Sequence, residues 1–140
     1  IEGGADSRLP CIWDIFCATP GKIRDGSDGL VACDHVKLWR DDVKLIQSLG
    51  VDAYRLSISW PRVMFADGSL NPAGVDFYIQ LLDELKALNI KAFVTLYHWD
   101  LPQYLEDQGG GATATPLMPL PTMPTKSLLH WLIWSTPGRR

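Results

Sequence analysis

Hydrophobic positions fall into four periodic segments between residues 34 and 97. Val36, Trp39, Val43, Ile46 and Gly50 recur at helical spacing, which predicts a helix with one buried face. Asp34 stands where a helix N-cap belongs, and Gly50 where the chain leaves the helix in a left-handed turn. Residues 54–59 then alternate: Tyr54, Leu56 and Ile58 on one side, Arg55, Ser57 and Ser59 on the other. That pattern predicts a strand ending at Trp60-Pro61. Asp67-Gly68 marks a turn, and Asn71-Pro72 starts a second helix with a capping residue followed by proline at the first helical position. Its buried stripe is Val75, Tyr78, Leu82, Leu85 and Leu88, with Phe77 and Leu81 beside it, and Asn89 is its stop. A second strand begins at Lys91 and runs through Ala92-Phe93-Val94-Thr95-Leu96. Helix, strand, helix, strand with short connections is the alternation of a parallel sheet with right-handed crossovers. A strand of such a sheet is buried on both faces, so the polar side of residues 54–59 predicts a polar interior near a site. Neither strand runs into a glycine-rich phosphate loop, which favours a piece of a (β/α)8 barrel over a doubly wound sheet.

Residues 1–33 show no such period. Gly3-Gly4, Pro20-Gly21 and Asp25-Gly26-Ser27-Asp28-Gly29 are turn chemistry, and they predict a long irregular loop anchored by Trp13, Ile15 and Phe16. Trp13, Trp39 and Trp60 are expected to be core or interface anchors. The chain of 140 residues is 46% hydrophobic, enough for one packed domain. A net charge of −3 favours neither nucleic acid nor an anionic membrane as a partner. No apolar run reaches the roughly 20 residues of a membrane span. The first residues are not a signal peptide and there is no initiator Met, so sequence upstream is expected. Cys11, Cys17 and Cys33 are odd in number and lack metal-ligand spacing, which predicts reduced thiols, a cytoplasmic protein, and no metal or cofactor.

The chemistry-bearing stretch is Tyr97-His98-Trp99-Asp100-Leu101-Pro102, placed where a buried strand would end. Ligands of parallel α/β folds bind at the C-terminal ends of strands. The hexapeptide resembles the third-strand motif of the family 1 glycoside hydrolases, the β-glucosidase group. Further blocks resemble that family in order. They are Ile1-Glu2-Gly3-Gly4, Ile12-Trp13-Asp14-Ile15-Phe16, Pro20-Gly21-Lys22-Ile23 and Ala32-Cys33-Asp34-His35. Residues 52–62, Gly74-Val75-Asp76-Phe77-Tyr78 and Asp107-Gln108-Gly109-Gly110 complete the set. One departure is Val36-Lys37, where the family usually has Tyr-His.

The resemblance implies a (β/α)8 barrel and hydrolysis of β-glucosides with retention, by two glutamates about 5 Å apart. One protonates the leaving oxygen and the other attacks the anomeric carbon. In the family they stand in Asn-Glu-Pro and Thr-Glu-Asn-Gly motifs. Neither motif occurs here: the glutamates are Glu2, Glu84 and Glu106, none at a matching position. Asp100 and Glu106 read as loop structure and not as a surrogate pair. The sugar-holding positions are represented. His98 and Trp99 match residues that hydrogen-bond and pack against the glycone, and Arg55 matches a residue beside the nucleophile. Arg55 also has an alternative reading as an ion-pair partner of Asp52 or Asp34. The glycone-binding Gln that precedes Ile-Glu-Gly in the family is absent. A barrel needs about 250 residues, so residues 1–110 read as its amino-terminal part, from the end of the first strand to just past the third. The chain is expected to be inactive alone. The alternatives are a non-catalytic sugar-binding remnant and a fragment completed by another chain. The expected ligand is a β-glucoside or related sugar.

Residues 111–140 are composed differently. They hold three basic residues and no acid, against 10 basic and 16 acidic residues in 1–109, and five of the ten prolines. The resemblance stops after Gly110, and the tail reads as non-homologous and disordered or poorly packed. Met123-Pro124 must be encoded ATG-CCN, which read one frame over contains GCC, an Ala codon. With permissible third bases, residues 121–125 then yield Asp-Tyr-Ala-Asp, the kind of helix the family has there. The tail is therefore expected to be a shifted reading frame.

Overall fold

The computed structural model describes residues 2–110. The tail over 111–140, with its expected shifted frame, lies outside the described residues. The elements in order are α1 (Ile12–Ala18), α2 (His35–Ser48), β1 (Ala53–Ser57), α3 (Trp60–Val63), α4 (Pro72–Ala87), β2 (Lys91–Thr95) and α5 (Gln103–Asp107), preceded by a 3-10 turn at Ala5–Ser7. Two compact units divide the chain, Ile1–Tyr104 and Leu105–Arg140. In the second, the described residues close the end of α5, with the Gly109 and Gly110 amides bonded to the Glu106 and Leu105 carbonyls at 2.8 Å each. No helix among the described residues is long and apolar enough to cross a membrane.

In the first unit, β1 and β2 pair in parallel with Ala53 opposite Lys91 and Ser57 opposite Thr95. The bond from Ile58 N to Thr95 O, 2.8 Å, extends the ladder past β1. Trp39 and Val43 of α2, Leu56 and Ile58, Trp60 and Val63 of α3, and Tyr78, Leu81 and Leu85 of α4 form the core. The alternation read from residues 54–59 holds: Leu56 and Ile58 are buried while Arg55 is exposed. The α4 stripe is rotated slightly from its expected line, to Gly74, Tyr78, Leu81 and Leu85. Gly74 is the cause: a Cβ there would stand 2.0 Å from the Arg62 carbonyl oxygen, so only glycine lets α4 lie this close to α3.

Several local expectations are corrected. Residues 1–33 are not one irregular loop, because α1 forms behind a capping box in which the Asp14 carboxylate accepts the Cys11 N–H at 2.8 Å. Its apolar residues are not buried anchors: Trp13, Ile15 and Phe16 are all exposed. Glu2 to Gly4 do not end a strand; Gly3 and Gly4 take φ of +70° and +60° and turn the chain back. Trp60-Pro61 opens a short helix, since proline at its first turn needs no amide partner. Asp34 and Asn71 occupy N-cap positions without capping through their side chains; Asn71 instead donates to the Arg62 carbonyl at 2.9 Å. Gly50 (φ +68°) and Asn89 (φ +58°) stop their helices in left-handed conformation as expected. β2 is not buried on both faces. Phe93 is 61% exposed, because among the described residues no third strand flanks it.

Candidate functional site

The parallel pairing brings the ends of β1 and β2 together, and with them the residues singled out from the sequence. His98 Nδ1 lies 3.2 Å from Ser57 Oγ. Arg55 Nε donates to Thr95 Oγ1 at 3.3 Å. Arg55 makes no ion pair with Asp52 or Asp34, so its guanidinium is oriented by the neighbouring strand. Arg55, Ser57 and His98 line one cavity of about 850 Å³, together with Glu2, Tyr78 and Asp100. Trp99 is not on that wall. It is 68% exposed, with φ +69°, and its carbonyl accepts the Trp13 indole N–H at 2.7 Å. Tyr97 is edge-on to Trp60 with ring centres 5.9 Å apart, and its ring centre is 6.5 Å from that of Trp99.

Sequence reading missed the polar network beneath these residues. Arg62 is 2% exposed. Its guanidinium donates to Glu2 Oε1 at 2.9 Å, Ser7 Oγ at 2.7 Å and the Gly3 carbonyl at 3.0 Å. The Tyr78 hydroxyl donates to both Glu2 carboxylate oxygens, 2.7 and 2.9 Å, and accepts the Ser59 N–H at 2.8 Å. Burial, and then the facing Glu2 charge, push the Tyr78 hydroxyl well above its ordinary value. The signal available in the sequence was an arginine directly after the apolar Trp60-Pro61 and a tyrosine on the α4 stripe, both needing polar partners when buried.

The other acids lining the cavity are engaged too. Asp14 takes both Arg8 guanidinium nitrogens, at 2.6 and 2.9 Å. Burial alone would raise Asp14, but the Arg8 and Cys11 hydrogen bonds outweigh it and hold the carboxyl below its ordinary range. Asp42 meets His35 Nδ1 at 2.6 Å. Asp100 accepts the Trp60 N–H at 3.2 Å through one oxygen, and its other oxygen is buried without a partner. Burial is the largest influence on Asp100 and leaves its carboxyl raised. Glu2 is the glutamate on this wall, held by Arg62 and Tyr78. The wall therefore offers an imidazole, a hydroxyl and a guanidinium suited to polyol hydroxyls. Among the described residues on it, the carboxylates of Glu2, Asp14, Asp42 and Asp100 each have a protein partner.

Residues 1–115 match the model of glycosyl hydrolase family 1. The chain belongs to that family. The match runs five residues past Gly110, where the sequence motifs ended. The family 1 chain is 53% identical over 114 residues to the thermostable β-glucosidase B of Thermobispora bispora, covering 80% of this chain and 24% of that protein. Among solved structures, it is similar to the family 1 β-glucosidase of Exiguobacterium antarcticum, at TM-score 0.76 and 48% identity over 79% of this chain and 25% of that one. A family 1 β-glucosidase of Humicola insolens, solved in complex with glucose, matches at TM-score 0.74 and 46% identity over 79% and 24% of the two chains. The chain thus spans about a quarter of the length of these β-glucosidases and is a fragment in comparison with them.

Proposed function

We propose that these residues are the glycone-holding side of a retaining β-glucosidase site, set on a partial (β/α)8 barrel in which β1 and β2 are the second and third strands. The observation that carries this is the convergence of Arg55, Ser57 and His98 on one cavity at the C-terminal ends of two parallel strands. His98 hydrogen-bonds a sugar hydroxyl from the wall, and the Trp99 indole, next to that wall and not on it, packs on the C–H surface of the ring from outside the cavity. The Arg55 guanidinium lies beside the position of a nucleophilic carboxylate and keeps it ionised. Retaining hydrolysis needs two carboxyl groups about 5 Å apart. The acids on this wall are committed to Arg62, Tyr78, Arg8, His35 and the Trp60 amide. The chain alone therefore holds a β-glucoside without cleaving it. The free thiols of Cys11, Cys17 and Cys33 suit a reducing, cytoplasmic compartment.

The test is release of 4-nitrophenol from 4-nitrophenyl β-D-glucoside by the purified chain. The expected rate equals that of buffer; turnover that co-purifies with the chain overturns the reading. The exposed Phe93 on β2 favours a second reading, in which another polypeptide carrying the remaining strands completes the barrel. Turnover that arises only on mixing with such a fragment distinguishes it.

A further inference from the structure

Trp13, on α1, lines the same cavity as Arg55 and His98 and meets the edge of Phe16, with ring centres 5.9 Å apart. It is 47% exposed, so water could serve its indole N–H. The N–H instead donates, at 2.7 Å, to the carbonyl of Trp99, 86 residues along the chain. Trp99 takes φ +69°, a conformation that a bulky side chain holds only when its surroundings impose it. Those surroundings are the segment around Cys11. Ile12 N donates to Leu101 O and Gln103 N to Pro10 O, each at 2.9 Å, and Cys11 and Pro102 form an antiparallel bridge. These bonds fix residues 101–103 from below. The Trp13 bond acts on the Trp99 carbonyl itself, in the peptide plane that joins Trp99 to Asp100, and so restrains backbone rotation at Trp99.

We infer that Trp13 is the positioning residue for Trp99: its indole N–H bonds the Trp99 carbonyl and so holds the Trp99 backbone in the left-handed conformation that sets where the Trp99 ring stands beside the cavity. This rests on the reading of His98 and Trp99 as sugar-holding residues. The cost of a left-handed tryptophan is comparable to one or two hydrogen bonds, so loss of this donor is enough to let residue 99 relax.

Two variants of the full chain separate the donor from the ring. Trp13→Phe keeps an aromatic ring without the N–H; Trp13→Gln keeps an N–H without the ring. In isotope-labelled chain, the Trp99 backbone and indole resonances are expected to move in Trp13→Phe and to return toward wild type in Trp13→Gln. The indole peaks of buried Trp39 and Trp60 stay in place in both. Titration with glucose is expected to give a Kd roughly three- to tenfold higher in Trp13→Phe, the effect of one hydrogen bond. Unmoved Trp99 resonances in Trp13→Phe, or an equal displacement in Trp13→Gln, overturn the inference. Collapse of the Trp39 and Trp60 peaks in Trp13→Phe also overturns it, since Trp13 is then a residue of the fold. If Trp99 moves as expected but glucose shifts nothing in the wild-type chain, the positioning role stands and the sugar-holding reading falls.

Discussion

Tyr78→Phe removes one oxygen from the buried network and leaves the ring in place. That hydroxyl donates to the Glu2 carboxylate and accepts the Ser59 N–H. A hydrogen bond to a charged group contributes about 1.5–3 kcal/mol, and a buried amide left unsatisfied costs about 1–3 kcal/mol. The two overlap, because Arg62 continues to hold Glu2, so the expected loss is about 2–4 kcal/mol. In urea, with a slope of about 1–3 kcal/mol per molar for a small domain, the midpoint followed by circular dichroism should fall by about 1–2 M. Tyr104→Phe is the control and should stay within about 0.5 kcal/mol of wild type. The loss also depends on pH. Tyr78 is raised above its ordinary value of 10.0 by burial and by Glu2, so its contribution is complete below pH 10 and is lost as pH rises through the folded value. The gap between variant and wild type should therefore narrow in alkali. A Tyr78→Phe chain within about 0.5 kcal/mol of wild type at pH 7 would refute the reasoning.

Asp14 is held below its ordinary 3.8, so its contribution is complete above that value and lost as pH falls through the folded one; Asp14→Asn should show a flatter acid limb in urea midpoints. Asp100 is raised, so its contribution is present below 3.8 and lost as pH rises through the folded value. Asp100→Asn can keep the oxygen that accepts the Trp60 N–H, and it should raise the midpoint at pH 7 and match wild type in acid. Gly74→Ala would normally favour a helix by about 0.5–1 kcal/mol, but the new Cβ meets the Arg62 carbonyl at 2.0 Å, so thermal unfolding should show a loss of about 1–3 kcal/mol instead.

α2, β1, α4 and β2 were legible because each carries its own period and its own stops, whereas the four-residue α3 is too short to show one. Gly50 and Asn89 end their helices with the left-handed residues their positions call for. The convergence of Arg55 and His98 was legible once the two strands were read as parallel neighbours. What was hidden depends on contacts remote in sequence. Nothing near Glu2 signals that it will meet Arg62 and Tyr78, 60 and 76 residues away. Nothing near Trp13 points to the Trp99 carbonyl. α1 was missed because seven residues are too few to show a helical period among the surrounding turn residues, and its capping box uses Cys11 and Asp14 instead of the usual Ser/Thr and Glu. The exposure of β2 follows from which neighbours the described residues supply, which its own apolar sequence does not encode.

The measurement that bears most directly on the account is a glucose titration of the wild-type chain followed by amide, indole and imidazole NMR shifts, up to about 100 mM so that millimolar affinities are covered. Saturable shifts are expected at His98, Trp99 and Ser57, with the α4 surface around Glu84 unmoved. Shifts that do not saturate, or that fall on surfaces away from the ends of β1 and β2, would contradict it.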